Sequence, residues 1–187
     1  MGMPSDEVEE IRQAGMLHDI GKIGIPDFIL YKPALLTAEE FEIMKTHSVR
    51  GQKILEPLQV KAMQRICHMV RQHHEMFDGR GYPDKLQGDQ ILLGARILTV
   101  ADCFDAMVSE RAYKTARSYE QALFELRCCS GTQFDPKIVE SFLESLRIYG
   151  DARTRPALKD ADVPIEEMVG SAFSRDAGHG IACCLRR

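Results

Sequence analysis

The sequence predicts an all-α fold, and three observations support this. Apolar residues recur at the three- and four-residue spacing of amphipathic helices along the first 150 residues. Helix-start signals precede several of these stretches. No alternating run of apolar and polar residues is long enough for a strand. We therefore expect one helical domain over residues 1–150. Residues 151–187 mix Pro, Gly, Asp and Arg without periodicity, which predicts a poorly structured C-terminal tail.

Six helices are expected along the domain. They cover approximately residues 6–18, 37–55, 60–75, 94–109, 118–129 and 135–148. Capping boxes at Thr37–Glu40 and Ser118–Gln121 open the second and fifth helices, and Asp135 followed by Pro136 opens the sixth. Glycine and proline make residues 21–26 and 78–84 loops.

Apolar stripes indicate which helix faces are buried. The second helix has Ile43, Met44, His47, Gly51, Ile54 and Leu55 in its stripe. The third helix turns Met63, Ile66, Cys67 and Val70 inward. The fourth has Ile97, Val100, Ala101, Phe104 and Val108, with Asp102 well to one side.

Composition excludes several classes of function. The net charge of −4 argues against binding a nucleic-acid polymer, which requires a basic face. No long apolar run or signal peptide appears, so we expect a cytoplasmic protein with no membrane segment. The six cysteines include no CxxC pair, which argues against a thiolate zinc site and favours free thiols.

An adjacent His18–Asp19 pair is the first candidate for chemistry. It lies where a helical pattern breaks into a glycine-containing loop that carries Lys22. The two oxygens of the carboxylate can bridge two cations, and the imidazole can bind one of them. Lys22 is close enough in sequence to meet an anion held by those cations.

Each further candidate ligand has a plainer reading when taken alone. His47 on an apolar stripe is typical of a core histidine, Asp102 of a solvated acid, and His73 with His74 of a surface pair. Taken together, four of the six histidines stand beside carboxylates at helix ends or on inward faces. A nitrogen and oxygen set without thiolates suits iron or manganese, and six ligands with a shared carboxylate suit two ions.

The chain resembles the HD-GYP proteins, a branch of the HD superfamily of metal-dependent phosphohydrolases. The resemblance covers approximately residues 10–147. The matching segments are residues 18–27, 44–47, 73–75, 78–83, 94–97, 100–102 and 131–136. It implies a helical bundle, two divalent metal ions (iron above all, or manganese) and hydrolysis of cyclic di-GMP to pGpG, in some members on to GMP, by a metal-bridged hydroxide.

The resemblance also implies roles for individual residues. Asp19 would bridge the ions, His18 and Asp102 would hold the first, and His47, His73 and His74 the second. Lys22, Arg111 and Lys114 would contact phosphates of the substrate. Tyr82, within the Gly81–Pro83 signature, would shape the substrate site or dock diguanylate cyclase domains. Whether the chain forms a homodimer is left open.

The sequence departs from the family mainly at its start. The family has an earlier helix with a metal-binding histidine, whereas seventeen residues without a histidine precede His18 here. We therefore expect a truncated domain with a weakened first metal and no third one. Ala34 and Leu92 replace the usual Gly and Pro.

Two alternatives remain. One is a catalytically impaired module that binds cyclic di-GMP or docks a cyclase. The other is an HD hydrolase for another nucleotide, against which the Gly-Tyr-Pro signature argues.

Overall fold

The computed structural model describes residues 2–58, 61–109 and 117–150. Seven α-helices lie in this part of the chain: α1 (Ser5–Leu17), α2 (Asp27–Leu30), α3 (Ala38–Leu55), α4 (Lys61–Gln72), α5 (Leu93–Val108), α6 (Tyr119–Cys128) and α7 (Pro136–Tyr149). Short 3-10 helices occupy Ile20–Gly24 and Gly88–Gln90. The described residues contain isolated β-bridges but no strand, so the all-α prediction is confirmed.

The predicted helix starts are present, with some differences in extent. Thr37 and Ser118 each form a complete capping box, and the Asp135 carboxylate accepts from the Lys137 amide. The sequence did not indicate the 3-10 turn at Ile20–Gly24 or the short helix α2. The expected tail, together with Arg111 and Lys114, lies outside the described residues.

The chain divides into two compact units between Thr99 and Val100. In the first unit α1, α3 and α4 pack on one another. Its main core is formed by Ala14, Leu55, Ile66, Cys67, Met69, Val70, Ile91, Ala95 and Leu98. The second unit buries Val100, Cys103, Met107, Leu123, Leu126, Phe134, Ile138 and Val139. Helix α5 contributes residues to both units.

Two of the predicted apolar stripes are partly wrong. In α3, Ile43 and Ile54 are exposed, and the buried positions are Met44, His47, Ser48, Gly51 and Leu55. In α5, Ala101 is exposed, and the buried positions include Ala95, Leu98, Thr99, Cys103 and Met107. On this helix Asp102 is half-buried and falls within the buried face rather than beside it.

Within the described residues no helix combines the length and apolar character needed to cross a bilayer.

Candidate metal centre

Three histidines, one on a helix and two just after the end of another, meet inside the first unit. His47 lies on α3, while His73 and His74 follow directly after α4 ends at Gln72. The Nε2 atom of His47 is 3.2 Å from Nε2 of His73 and 3.1 Å from Nε2 of His74. One ligand nitrogen from each ring lies within 4.8 Å of the other two. This spacing is suited to three ligands around one ion.

Backbone hydrogen bonds fix which nitrogen of two rings carries the proton. Nδ1 of His47 is 2.8 Å from the Met44 carbonyl oxygen, and Nδ1 of His73 is 2.6 Å from that of Val70. A carbonyl oxygen only accepts, so Nδ1 must donate in both rings. In the neutral rings, Nε2 then presents a lone pair towards the other histidines.

The electrostatics of this cluster favour a cation. Two unprotonated nitrogens 3.2 Å apart repel each other, and a positive ion between them replaces that repulsion with coordination. Burial, with the neighbouring His47 and His18, lowers the pKa of His73 to about 3. Burial also lowers the pKa of His47 and, with His73 and His47 beside it, that of His74. The rings are therefore held neutral, which is the state that binds metal. The donor set fits the divalent ion that the sequence predicts.

Asp19 lies beside both His47 of this cluster and His18. Its Oδ1 is 3.5 Å from Nε2 of His47, while its Oδ2 is 3.4 Å from Nε2 of His18. The His18 ring is oriented by Nδ1, which is 2.7 Å from the Gly15 carbonyl oxygen. The two carboxylate oxygens thus approach two different histidines, as a bridging ligand needs, and the His18 ring itself packs edge to face on His73 with centroids 5.2 Å apart.

Lys22 neutralises Asp19. Its ammonium lies 2.6 Å from Asp19 Oδ2. Burial alone would raise the pKa of Asp19, but the bonds and charges of His18 and Lys22 outweigh it and hold this pKa well below its usual range. Asp19 is therefore a carboxylate at all physiological pH values, ready to bind a cation.

A close backbone contact sets the position of the Asp19–Lys22 turn. A Cβ on Gly21 would lie 1.8 Å from the His47 carbonyl oxygen and 2.5 Å from the Gly51 amide nitrogen. Only glycine allows the turn to rest this close to α3. The contact brings Asp19 to His47.

A layer of buried polar groups supports the histidines, and the sequence reasoning missed it. The Thr99 hydroxyl donates to the His73 carbonyl oxygen at 2.8 Å. The Gln72 side chain accepts from the Leu92 amide at 2.9 Å. The buried Glu75 carboxylate accepts from the amides of Asp84 and Leu86 at 2.6 and 3.0 Å. The sequence offered one signal for Glu75, which is its position next to His74. A charged side chain is buried only where hydrogen-bonding or oppositely charged groups surround it.

The remaining predicted site residues have different placements. The Tyr82 ring lies 4.9 Å from the His74 ring, so it adjoins the cluster. Asp102 belongs to the second unit. The structure thus brings together His18, Asp19, Lys22, His47, His73, His74 and Tyr82 within the first unit. It leaves the roles given to Asp102, Arg111 and Lys114 as predictions.

The fold and the clustered side chains define a helical domain with a candidate metal centre, and comparison with known proteins gives its family. The HD domain family matches residues 1–138. The chain belongs to that family, and the resemblance to HD-GYP proteins is confirmed.

Several characterised proteins are similar to this chain. The cyclic di-GMP phosphodiesterase of Thermotoga maritima is 46% identical over 181 residues, which are 97% of this chain and 48% of that protein. The cyclic di-GMP phosphodiesterase response regulator RpfG of Xanthomonas campestris is 44% identical over 76% of this chain and 38% of its own length. A 3'3'-cGAMP-specific phosphodiesterase of Vibrio cholerae is 43% identical over 76% of this chain and 27% of its own length.

A solved structure shares the fold. The crystal structure of a cyclic GMP-AMP-specific phosphodiesterase of Vibrio cholerae superposes with a TM-score of 0.58 at 21% identity, covering 91% of this chain and 44% of that one. The chain thus spans about half or less of the length of the relatives that it matches.

Proposed function

We propose that this chain is a metal-dependent phosphodiesterase that hydrolyses cyclic di-GMP to pGpG, with further hydrolysis to GMP left open. The observation that carries the proposal is the position of Asp19, whose Oδ2 lies 3.4 Å from Nε2 of His18 and whose Oδ1 lies 3.5 Å from Nε2 of His47. The choice of substrate rests on relatives at 46 and 44% identity that are named cyclic di-GMP phosphodiesterases.

The ligands are assigned to two ions. His47, His73 and His74 would hold one, His18 and Asp102 the other, and Asp19 would bridge them. Two divalent cations there would withdraw charge from a phosphodiester and make water a nucleophile near neutral pH. Iron or manganese suits the nitrogen and oxygen donors.

Cationic side chains of the chain would bind the phosphates. Lys22 lies beside Asp19 and is partly exposed, so its ammonium can reach an anion that enters from solvent. A cation there would stabilise negative charge that builds up on the phosphoryl oxygens. Arg111 and Lys114 are assigned to the same phosphates from the family resemblance.

A second substrate follows from another relative. The 43% identical Vibrio cholerae protein is named for 3'3'-cGAMP, which differs from cyclic di-GMP in one base. Metal ions held by these residues would act on the phosphodiester bonds of either dinucleotide, so both dinucleotides belong in the assay.

Docking and dimer formation stay predictions. In the Gly-Tyr-Pro loop, Arg80 is exposed and pairs with Asp78, whereas the Tyr82 ring packs towards His74. A diguanylate cyclase domain would therefore meet Arg80 more readily than the Tyr82 ring.

The decisive assay supplies metal and substrate to the purified chain. Protein loaded anaerobically with Fe²⁺ or Mn²⁺ is incubated with cyclic di-GMP or 3'3'-cGAMP, and linear products are separated and identified by mass. We expect pGpG, and the presence or absence of GMP at long incubation shows whether hydrolysis continues beyond it. Lys22→Met should retain both metals but turn over more slowly, while Lys137→Met, an exposed lysine on α7, should match wild type. Metal-replete wild-type protein that yields no linear product would refute the phosphodiesterase.

A further inference from the structure

The three clustered histidines are not held in place in the same way. His47 and His73 each anchor Nδ1 on a carbonyl oxygen three residues earlier. Within the described residues, His74 has no matching Nδ1 bond. Its ring instead contacts the rings of His73 and Tyr82, with centroids 3.9 and 4.9 Å away. The orientation of this ligand therefore depends on its aromatic neighbours.

Tyr82 is itself firmly placed by the loop that carries it. Its amide donates to the His74 carbonyl oxygen at 3.2 Å. A Cβ on Gly81 would lie 2.2 Å from the Met76 amide nitrogen, so this glycine lets the loop lie against the chain just after His74. The Glu75 carboxylate binds two amides further along the loop. The loop is thus fastened to the segment that contains His74.

Helix α3 holds the Tyr82 ring from another direction. The Phe41 ring meets it edge to face, with centroids 6.3 Å apart. The Lys45 ammonium lies 5.7 Å from the Tyr82 centroid and 5.5 Å from that of Phe41, and it also pairs with Glu42. A cation at this distance attracts the face of an aromatic ring. Contacts with both α3 and the loop therefore restrict the ring that packs on His74.

We infer that Tyr82 is a positioning residue for the metal ligand His74, acting through ring packing. This differs from the substrate-binding role expected from the sequence, and it rests on the proposed metal centre. Partners that orient metal ligands from outside the coordination shell typically change metal affinity 10–100-fold when removed. A similar loss of metal affinity is expected when the partner that is removed is a packed aromatic ring and not a hydrogen-bonding group.

Metal binding to the whole chain tests this without reference to turnover. Mn²⁺ affinity is measured by titration, and the visible spectrum of bound Co²⁺ reports coordination geometry. Tyr82→Leu should weaken Mn²⁺ at the histidine cluster by roughly 10–100-fold and alter the Co²⁺ spectrum. Tyr82→Phe keeps the ring and should resemble wild type. Tyr31→Leu removes an exposed tyrosine and is the matched control.

A double-mutant comparison separates positioning from general damage. In a His74→Ala background, Tyr82→Leu should change metal affinity less than about twofold, because the ligand that it orients is gone. Phe41→Leu, which removes a contact of Tyr82, should weaken binding in the same direction by less. This variant carries the test if Tyr82→Leu does not fold.

Three results would overturn the inference. The first is wild-type metal affinity in Tyr82→Leu or, where that variant does not fold, in Phe41→Leu. The second is a loss of metal affinity from Tyr82→Leu that is just as large in the His74→Ala background, and the third is a raised KM for cyclic di-GMP in Tyr82→Leu with unchanged metal affinity. The last result would make Tyr82 a substrate contact. Wild-type protein that binds no metal would instead overturn the metal centre itself.

Discussion

The two sides of the candidate centre differ in how their side chains are fixed. On the histidine side, His47 and His73 are 2% and 1% exposed, and each is oriented by a backbone carbonyl oxygen. On the acidic side, the Asp19 and Lys22 side chains are 40% and 38% exposed and are held by their mutual ion pair. The two buried histidines are set by backbone carbonyl oxygens, as is His18, whereas Asp19 and Lys22 are set by charges that a ligand can rearrange.

This difference indicates how the site would respond to a cation. The histidine side already presents lone pairs at fixed positions, so metal binding requires little movement there. On the acidic side an incoming ion competes with Lys22 for Asp19 Oδ2. We expect this lysine to shift on metal binding, which would free its charge for a phosphate.

The largest effect is expected from removing a ligand on the histidine side. His47→Ala removes a proposed metal ligand. It should therefore weaken metal binding by more than the roughly 100-fold that is the largest typical loss when a residue outside the coordination shell is removed. Phosphodiesterase activity should fall with metal binding. His68→Ala, an exposed histidine on α4, is the matched control and should bind metal normally. Equal metal affinities in the two variants, measured by titration, would show that the cluster is not a metal site.

Asp102 tests whether the acidic side has the second ligand that the family resemblance implies. Asp102→Asn should reduce bound metal from two ions towards one, because an amide is a weaker ligand than a carboxylate. Asp105→Asn alters an exposed carboxylate on the same helix and should leave two ions bound. Metal analysis after desalting makes the comparison. Two ions in both variants would remove Asp102 from the ligand set.

The next prediction concerns the contact that joins the two sides. Gly21→Ala would place Cβ 1.8 Å from the His47 carbonyl oxygen, so the Asp19–Lys22 turn must move away from α3. Such overpacking typically costs about 1–3 kcal/mol of stability. Activity should fall as well, since Asp19 leaves His47. Gly24→Ala meets only the flexible Arg50 side chain and should be milder in thermal melts and turnover assays. Equal effects would show that the close contact does not set the site.

The smallest effect is a pH dependence of the metal-free chain. The folded-state pKa of His73 is about 3, below its value of 6.5 in the unfolded chain. Between these values the unfolded state binds more protons, so stability must fall as pH falls below 6.5, by up to about 1.4 kcal/mol per pH unit for this histidine. Denaturant melts in chelator at pH 7.5 and 5 measure this, and His73→Asn should flatten the slope. A slope unchanged in that variant would show that His73 is not held neutral by the fold.

The helices were predictable from the sequence because their signals are local. The capping boxes at Thr37 and Ser118 use residues three apart, and both are present in the structure. The histidine set followed from family resemblance, since His47 and His73 are 26 residues apart and periodicity alone does not pair them.

What the sequence did not reveal depends on contacts between distant residues. Glu75 binds amides 9 and 11 residues away, and Thr99 donates to a carbonyl oxygen 26 residues away. Hydrophobic periodicity also mistakes which residues are buried. Thr99 is polar yet buried because its hydroxyl finds backbone acceptors, while Ile43 is apolar yet exposed.

Asp19 is proposed to join the two sides into one metal centre. Counting the metal bound to Asp19→Ala after anaerobic loading and desalting tests it most directly, with Asp89→Ala, an exposed acid, as the control. We expect two ions in wild type and in the control, and loss of both ions together in Asp19→Ala. Two ions retained by Asp19→Ala would contradict it.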